Sequence, residues 1–242
     1  MSLKSIAAGI LFVFAAGFQV QGQFLRKFFS EIELIGGVGT TNYFGDIGGK
    51  DPDIMGIRVI FDNLDIDLWQ TRMALVTGVR FARYKNFSFS MQLTPMLLSG
   101  SDERSKYAKE GRHYSFTTSL AELSLLAELY FANRMTGFAP YGFVGAGGLA
   151  YSIYYTENTQ DPDPKRTRWY LGNTVIFGLG ARFPSKSNVV HNLDCGFHFS
   201  TTDFLDGFKT PRNSKDLFFE ISYKINYQLY NSWYLDHKGL VR

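Results

Sequence analysis

The chain has 242 residues, of which 45% are apolar, 17% are aromatic and 19% are charged, and its formal net charge is +3. This length suits one domain and leaves little room for a second. The Lys and Arg residues are spread along the chain, which argues against nucleic acid as a partner, because phosphate binding needs clustered basic residues. The single cysteine, Cys195, excludes an intramolecular disulfide. The high aromatic content is typical of a membrane barrel, whose rings form girdles at both interfaces.

The first residues have the features of a secretory signal. Lys4 precedes an apolar run over residues 6–18, and small residues suited to a signal peptidase follow as far as Gly22. We therefore predict a signal peptide over residues 1–22, with a short N-terminal anchor helix as the alternative. No later stretch approaches the roughly 20 apolar residues of a membrane-spanning helix, so any later membrane crossing would use strands.

The mature part, residues 23–242, alternates between apolar and polar residues with a period of two. This period predicts β-strands with unlike faces, because successive strand residues point to opposite sides. The last segment, FEISYKINYQL, has an apolar residue at every second position. In chain order the segments that follow the pattern are Glu31 to Tyr43, Arg72 to Phe81, Phe87 to Thr94, Ala121 to Phe131, Tyr141 to Tyr154, Trp169 to Phe183, Leu193 to Thr202 and Phe219 to Leu229.

The connections between these eight segments alternate in length. The short ones lie around Lys85, from Asn133 to Gly137 and from Pro184 to Asn188. The long, polar ones run from Gly45 to Leu68, Gly100 to Arg112, Thr156 to Arg168 and Asp203 to Lys215. Outer-membrane barrels have tight periplasmic turns and longer outside loops, so both termini are predicted to be periplasmic, with a short C-terminal tail. The segment from Ile54 to Asp67 fits an extracellular hairpin or a short helix.

The polar faces predict what fills the barrel interior. They carry similar numbers of acids and bases, namely Glu33, Glu122, Glu128, Asp194 and Glu220 against Arg72, Arg80, Arg182 and Lys224. An eight-stranded barrel is just wide enough for side chains to fill, and buried charges need partners. We therefore predict an all-β, OmpA-like fold in the outer membrane: an eight-stranded antiparallel transmembrane β-barrel with a plugged, poorly conducting lumen.

Aromatic residues cluster where the strands are expected to leave the lipid. Those flanking the third long loop predict the outer girdle: Tyr151, Tyr154, Tyr155, Trp169 and Tyr170. Those near the short turns and the tail predict the periplasmic girdle: Phe131, Phe138, Tyr227, Tyr230, Trp233 and Tyr234.

Six short motifs follow one another along the mature chain. They are NYFGD with Asn42, Tyr43, Gly45 and Asp46, the strand with Glu122 and Glu128, the segment with Pro140 and Tyr141, VIFGLG with Gly178 and Gly180, TTDFLDGF with Asp203 and Asp206, and NSWY with Asn231, Ser232, Trp233 and Tyr234. In order and spacing they resemble a PorG-like outer-membrane barrel family of Bacteroidota that is associated with the type IX secretion system. The chain departs from that pattern at Gly207 and Ser232, where the family usually has acids.

The resemblance implies a non-enzymatic role in a larger machine. Members of this family are linked to a periplasmic ring lipoprotein and its partner protein in the type IX secretion and gliding apparatus. By this resemblance the chain is expected to anchor or help assemble that apparatus, with the tail residues 231–234 as a candidate partner contact. A free-standing structural or adhesive barrel is the first alternative, and a barrel hydrolase is the second.

The residues that suggest catalysis or metal binding are few. His198, Ser200 and Asp194 share one strand face, but same-face neighbours lie roughly 7 Å apart, too far for a direct hydrogen bond between a nucleophile and its base. Acids of the first and last long loops, Asp46, Asp51, Asp53, Asp203 and Asp206, could gather calcium, although solvated loop acids are the commoner case. His113, His191 and His237 have no metal-ligand spacing. We therefore expect no catalytic residue, cofactor or metal.

Overall fold

The computed structural model describes residues 32–44, 70–82, 86–101, 114–133, 137–156, 165–166, 168–185, 188–207 and 215–229. These described residues form nine strands: β1 (Ile32–Phe44), β2 (Arg72–Phe81), β3 (Phe87–Ser101), β4 (Ser115–Tyr130), β5 (Ala139–Thr156), β6 (Lys165–Arg166), β7 (Tyr170–Pro184), β8 (Val189–Ser200) and β9 (Leu217–Gln228). The predicted signal peptide, the segment 54–67 and the tail from residue 230 lie outside the described residues, so these three predictions stay predictions. No helix in the described ranges has the length and apolar character needed to cross a membrane.

The eight long strands form one closed antiparallel barrel. Each pairs with its neighbours along the chain, β5 pairs with β7, and β1 pairs with β9 to close the ring. The two-residue β6 pairs with β5 alone, at Tyr154 and Tyr155 near the C-terminal end of that strand. Because the ring is closed, the eight long strands leave no long edge of unpaired backbone N–H and C=O groups. Such an edge would be costly in lipid, where no water can satisfy those groups. The prediction of an eight-stranded antiparallel β-barrel is confirmed.

The two ends of the barrel differ. Strand β1 begins and β9 ends beside each other, with Glu33 opposite Gln228. The strand ends that are joined by the short connections 82–86, 131–138 and 185–188 lie at that same end, which we call the short-turn end. The strand ends that are joined by the long connections lie at the opposite rim, which we call the long-loop end. At this rim β3 and β4 extend beyond their predicted bounds, to Ser101 and Ser115.

Outward-facing side chains make the barrel wall strongly apolar. Leu125 is 65% exposed, Val175 51% and Ile221 43%, and comparable residues lie on every long strand. Water-soluble proteins rarely expose so large a continuous apolar surface, whereas a transmembrane barrel needs such a band against the lipid tails. The wall is therefore built to face lipid.

The interior is apolar near the long-loop end, whereas nearer the short-turn end charged and amide side chains lie beside a smaller apolar cluster that includes Leu126, Phe143 and Ile176. The apolar part contains Phe116, Leu149, Tyr151, Ile153 and other buried side chains that pack together across the barrel. The inward-facing charges predicted from the sequence therefore fill only part of the lumen, and apolar side chains fill the rest. The girdle prediction is also wrong for Tyr151, which is buried, and for Tyr155, which packs against the same cluster. Both share the inward phase of β5, while exposed Tyr154 has the opposite phase.

Candidate functional site: the lumen and its plug

Near the short-turn end, the centre of the lumen is occupied by a carboxylate between two guanidinium groups. Glu33 on β1 accepts hydrogen bonds from Arg182 on β7, at 2.6 Å and 2.9 Å. Arg80 on β2 approaches the same carboxylate at 3.4 Å. All three side chains are almost fully buried. The amides of Asn226 and Gln228 also donate to Glu33, so its carboxylate joins strands from both sides of the barrel.

Arg80 extends this cluster to a second carboxylate, Glu128 on β4. Its Nε lies 2.8 Å from one oxygen and its Nη2 donates to the other at 3.0 Å. Glu128 also accepts from the hydroxyls of Ser88, Ser90 and Tyr130 at 2.6 Å, 2.9 Å and 2.9 Å. A buried ion pair is tolerated only when its remaining hydrogen-bonding groups are satisfied. Here the hydroxyls of Ser88 and Ser90 on β3 provide these hydrogen bonds to the Glu128 carboxylate.

A third ion pair joins the network through an amide. Lys224 on β9 lies 2.8 Å from Asp194 on β8 and donates to Gln92 at 2.8 Å. Gln92 in turn donates to Ser90, one of the hydroxyls that bind Glu128. Asp194 also accepts from the hydroxyl of Tyr141 on β5. With these links the polar network touches all eight long strands, and it lies across the lumen.

Two glycines on β7 make room for aromatic rings inside the network. A Cβ atom at Gly180 would lie 2.3 Å from the Tyr141 ring, and one at Gly178 would lie 2.3 Å from the Phe143 ring. Real Cβ atoms do not approach other atoms so closely, so only glycine fits beside these rings. The motifs that contain Tyr141 on β5 and Gly178 and Gly180 on β7 are therefore linked by packing, because the glycines of one strand leave space for the rings of the other.

A second polar cluster lies between the network and the apolar part of the lumen. His198 Nδ1 is 2.8 Å from Glu122 on β4, and its Nε2 is 3.8 Å from Glu220 on β9. Glu122 also accepts from Thr174 on β7. A cavity of about 20 Å³ lies among these side chains. It has room for about one water molecule, so the lumen is filled here too.

The residues that suggested a hydrolytic set have separate partners. His198 contacts Glu122 and Glu220, and Asp194 binds Lys224 and Tyr141. The hydroxyl of Ser200 accepts a hydrogen bond from the backbone of Thr202. A nucleophile and its base must be within hydrogen-bond reach of each other, and these contacts instead tie each residue to neighbouring strands.

After β8 the chain turns inward and closes the long-loop end. We call residues 201–207 the plug. Leu205 is fully buried in the apolar cluster, and its carbonyl accepts from Thr118 at 2.5 Å. Its backbone N–H donates to Asp216 at 2.7 Å, and the other oxygen of that carboxylate accepts from Tyr43 at 2.5 Å.

The plug corrects the prediction of a solvated loop from Asp203 onward. Asp206 is only 1% exposed and lies beside the hydroxyl of Tyr43, while Asp203 is half-buried. Gly207 follows with a φ of 84°, a backbone conformation that side-chain-bearing residues rarely adopt. Leu205 and Asp206 of the motif TTDFLDGF are therefore part of the core, while Thr201 at its start is exposed. Within the described ranges, no three His, Cys, Asp or Glu side chains are arranged to hold a metal ion.

The remaining predicted residues divide into two groups. Glu122 and Glu128 point into the lumen as predicted, and Asn42 accepts from Thr71 at 2.9 Å near the long-loop rim. Pro140 is half-buried on the outward side of β5. The candidate partner contacts at residues 231–234, together with Gly45 and Asp46, lie outside the described residues. The burial of Asp216 and Leu205 was not predicted from the sequence, because Asp216 lies in no alternating segment or motif and Leu205 lies in TTDFLDGF, which was predicted to belong to a long polar loop.

These features define the class of the protein as a small membrane barrel whose interior is closed by an ion-pair network and a plug. The chain belongs to the family described as a domain of unknown function, DUF6089, whose model matches residues 6–237. No curated protein matches the chain.

The solved structures to which the chain is similar include the following three. Neisserial surface protein A, NspA, shares 10% identity with a TM-score of 0.46, over 82% of this chain and 97% of that one. Ail, the attachment invasion locus protein of Yersinia pestis, solved with the heparin analogue sucrose octasulfate, shares 11% with a TM-score of 0.43, over 81% and 96%. A major outer membrane protein from Thermus thermophilus shares 10% with a TM-score of 0.43, over 81% and 99%.

Proposed function

We propose that the protein is a non-enzymatic outer-membrane barrel that anchors or helps assemble the type IX protein secretion and gliding machinery. The observation that carries the proposal is the closed lumen. Because the network around Glu33 and Arg80 joins all strands and the plug closes the other end, neither solute passage nor a substrate pocket inside the barrel is favoured. The working surfaces are then the two rims and the lipid-facing wall.

The direction of the barrel follows from its two unlike ends. Short connections and both ends of the barrel chain share the short-turn end. In outer-membrane barrels this end faces the periplasm, so the proposal places both termini there. A periplasmic ring lipoprotein and its partner protein would meet this rim and the tail. The order and spacing of the six sequence motifs support this choice of partners.

The test uses photocrosslinking in native membranes. A crosslinking amino acid is placed in the tail at Trp233 or Tyr234, or in the turn at Met135, and a matched control places it at Leu171 on the opposite rim. We expect the tail and turn positions to crosslink to the ring lipoprotein and its partner, and the Leu171 position to give no such product. Deletion of the protein should stop type IX secretion and gliding.

Two results would contradict the proposal. Crosslinking that recovers no ring component, together with intact secretion after deletion, would favour a free-standing structural or adhesive barrel. Loss of a lipid- or peptide-cleaving activity in His198→Ala, with the barrel still folded, would favour the hydrolase alternative. Folding of each variant is checked by gel migration with and without boiling.

A further inference from the structure

The small cavity beside His198 faces an excess of negative charge. Of the charged side chains that line it, Asp194 and Lys224 lie 2.8 Å apart and neutralise each other. Among the described residues, Glu122 and Glu220 have only His198 as a basic side chain in contact with them. One imidazole can balance at most one carboxylate. The cavity therefore keeps at least one negative charge without a counterion.

Glu220 is the carboxylate that lacks compensation. Glu122 lies 2.8 Å from His198 Nδ1 and accepts a hydrogen bond from Thr174. Glu220 lies 3.8 Å from His198 Nε2, which is too long for a hydrogen bond. Within the described ranges no group donates a hydrogen bond to the Glu220 carboxylate, although this residue is only 6% exposed. A buried carboxylate without hydrogen bonds is costly, so Glu220 needs a partner inside the cavity.

A second, neutral group in the cavity also lacks a partner. Ser222 follows Glu220 on the same face of β9, is 1% exposed and lines the same cavity. Its hydroxyl has no hydrogen-bond partner in the described part of the chain. Buried polar side chains nearly always have one. An uncompensated carboxylate and an unpartnered hydroxyl therefore face one small space.

We propose that this cavity binds one sodium ion, with Glu220 and Ser222 among its ligands. Its volume of about 20 Å³ fits one particle of the size of a water molecule. Hard cations take oxygen ligands from carboxylates and from neutral groups, and the hydroxyls of Thr94 and Ser124 also line this space. A neutral water molecule would satisfy Ser222 but would leave the charge of Glu220 uncompensated.

The arrangement of the acids favours a monovalent over a divalent ion. In the described residues no three acidic, His or Cys side chains are placed to hold a metal ion together, as a tightly bound divalent ion would need. A sodium ion needs no such set, because one carboxylate balances its charge. Lys224 leaves room for it, since its Nζ is directed to Asp194 and Gln92.

The test measures how folding depends on sodium. The lumen is closed on both sides of the cavity, so the ion would enter as the barrel folds, and sodium should stabilise the folded state. Urea unfolding in micelles is followed as sodium chloride replaces choline chloride at constant ionic strength, because choline is too large for the cavity. Above the dissociation constant of a single site, each tenfold increase in sodium should raise the folding equilibrium constant about tenfold. Potassium, a larger ion, should have a weaker effect.

Three variants locate the ion. Glu220→Gln and Ser222→Ala should both remove the sodium dependence. The Ser222 hydroxyl makes no hydrogen bond to the described residues, so its loss should cost little stability in choline. The matched control is Ser88→Ala, a buried serine of the same lumen that lies outside the cavity and binds Glu128. This control should lower stability but keep the full sodium dependence.

Three results would overturn the proposal. Equal stability of wild type in sodium and choline would mean that a proton on Glu220, and not a metal ion, compensates the cavity. Sodium dependence that persists in Glu220→Gln and Ser222→Ala would place the ion elsewhere. An equal response to potassium would rule out a site of this small size. These measurements involve no secretion partner, so they test the cavity separately from the proposed function.

Discussion

At the scale of single residues, Glu33 is the carboxylate on which two buried arginines depend. Arg182 has both its terminal nitrogens on Glu33, and Arg80 shares it with Glu128. Removing one partner of a buried ion pair costs about 3–5 kcal/mol, because the remaining charge is left without compensation. We expect Glu33→Gln to lower the free energy of unfolding by about that amount, as measured by urea unfolding in detergent micelles.

Two comparison variants separate this effect from a general loss of packing. Thr40→Ala, on the exposed face of the same strand, should unfold like wild type. The double variant Glu33→Gln with Arg182→Met should recover part of the loss, because it removes the uncompensated charge together with its former partner. Equal stability of wild type and Glu33→Gln would show that the Glu33 ion pairs contribute little.

A second residue-scale prediction concerns the glycine beside Tyr141. In Gly180→Ala the new methyl group would overlap the Tyr141 ring, which must move and lose its hydrogen bond to Asp194. Overpacking of this kind typically costs about 1–3 kcal/mol. Gly148→Ala is the matched control, since its Cβ meets open space. Urea unfolding of both variants measures the difference, and equal stability would mean that β7 can shift away without cost.

Alternation in the sequence predicted which charges point inward, but it did not predict which charges pair. Glu33, Arg80, Glu128, Asp194 and Lys224 were all assigned to the lumen, and all are buried. The period of two fixes the face of a residue within its own strand. Which charges form ion pairs depends on the register between strands. That register is set by the connecting segments, about which the alternation says nothing. The Glu33–Arg182 pair, separated by 149 residues, is an example.

At the scale of elements, the plug differs most from its sequence-based description. Residues 201–207 have polar composition and turn residues, which predict a solvated loop, yet Leu205 is completely buried. Its burial depends on an apolar recess formed by Phe116, Ile153 and Phe218 from three separate strands. No local pattern reports such a recess. The strands themselves were predictable because each carries its own alternation.

The plug gives the element-scale prediction. Leu205→Ala should reduce stability by about 2–5 kcal/mol, because it leaves a cavity in a packed cluster. It should also speed proteolysis between residues 201 and 216, since the plug would then be held only by the partly buried Phe204 and by hydrogen bonds such as those to Thr118 and Asp216. Leu171→Ala provides the control, because Leu171 is 85% exposed. Limited proteolysis and urea unfolding in micelles check both effects, and identical behaviour of the two variants would contradict a packed plug.

At the scale of the whole molecule, the two closures lie one after the other along the barrel axis. The plug closes the long-loop end. The ion-pair network, which includes Glu33 and Lys224, lies nearer the short-turn end. The size of an eight-stranded barrel made a filled lumen predictable from sequence. The large apolar cluster at the long-loop end was not predictable, because alternation assigns residues to faces without giving their depth relative to other strands.

Closures in series predict how the barrel responds when one is removed. An ion crossing the lumen must pass both, and a charge entering the closed network would have to displace groups that already satisfy one another. We therefore expect purified wild-type barrel to give no steady current in planar lipid bilayers. Replacing residues 203–207 by Gly and Ser should give none either, provided that the variant migrates as folded on unboiled gels. A steady current from the variant but not from wild type would show that the plug alone seals the lumen and that the network around Arg80 is permeable.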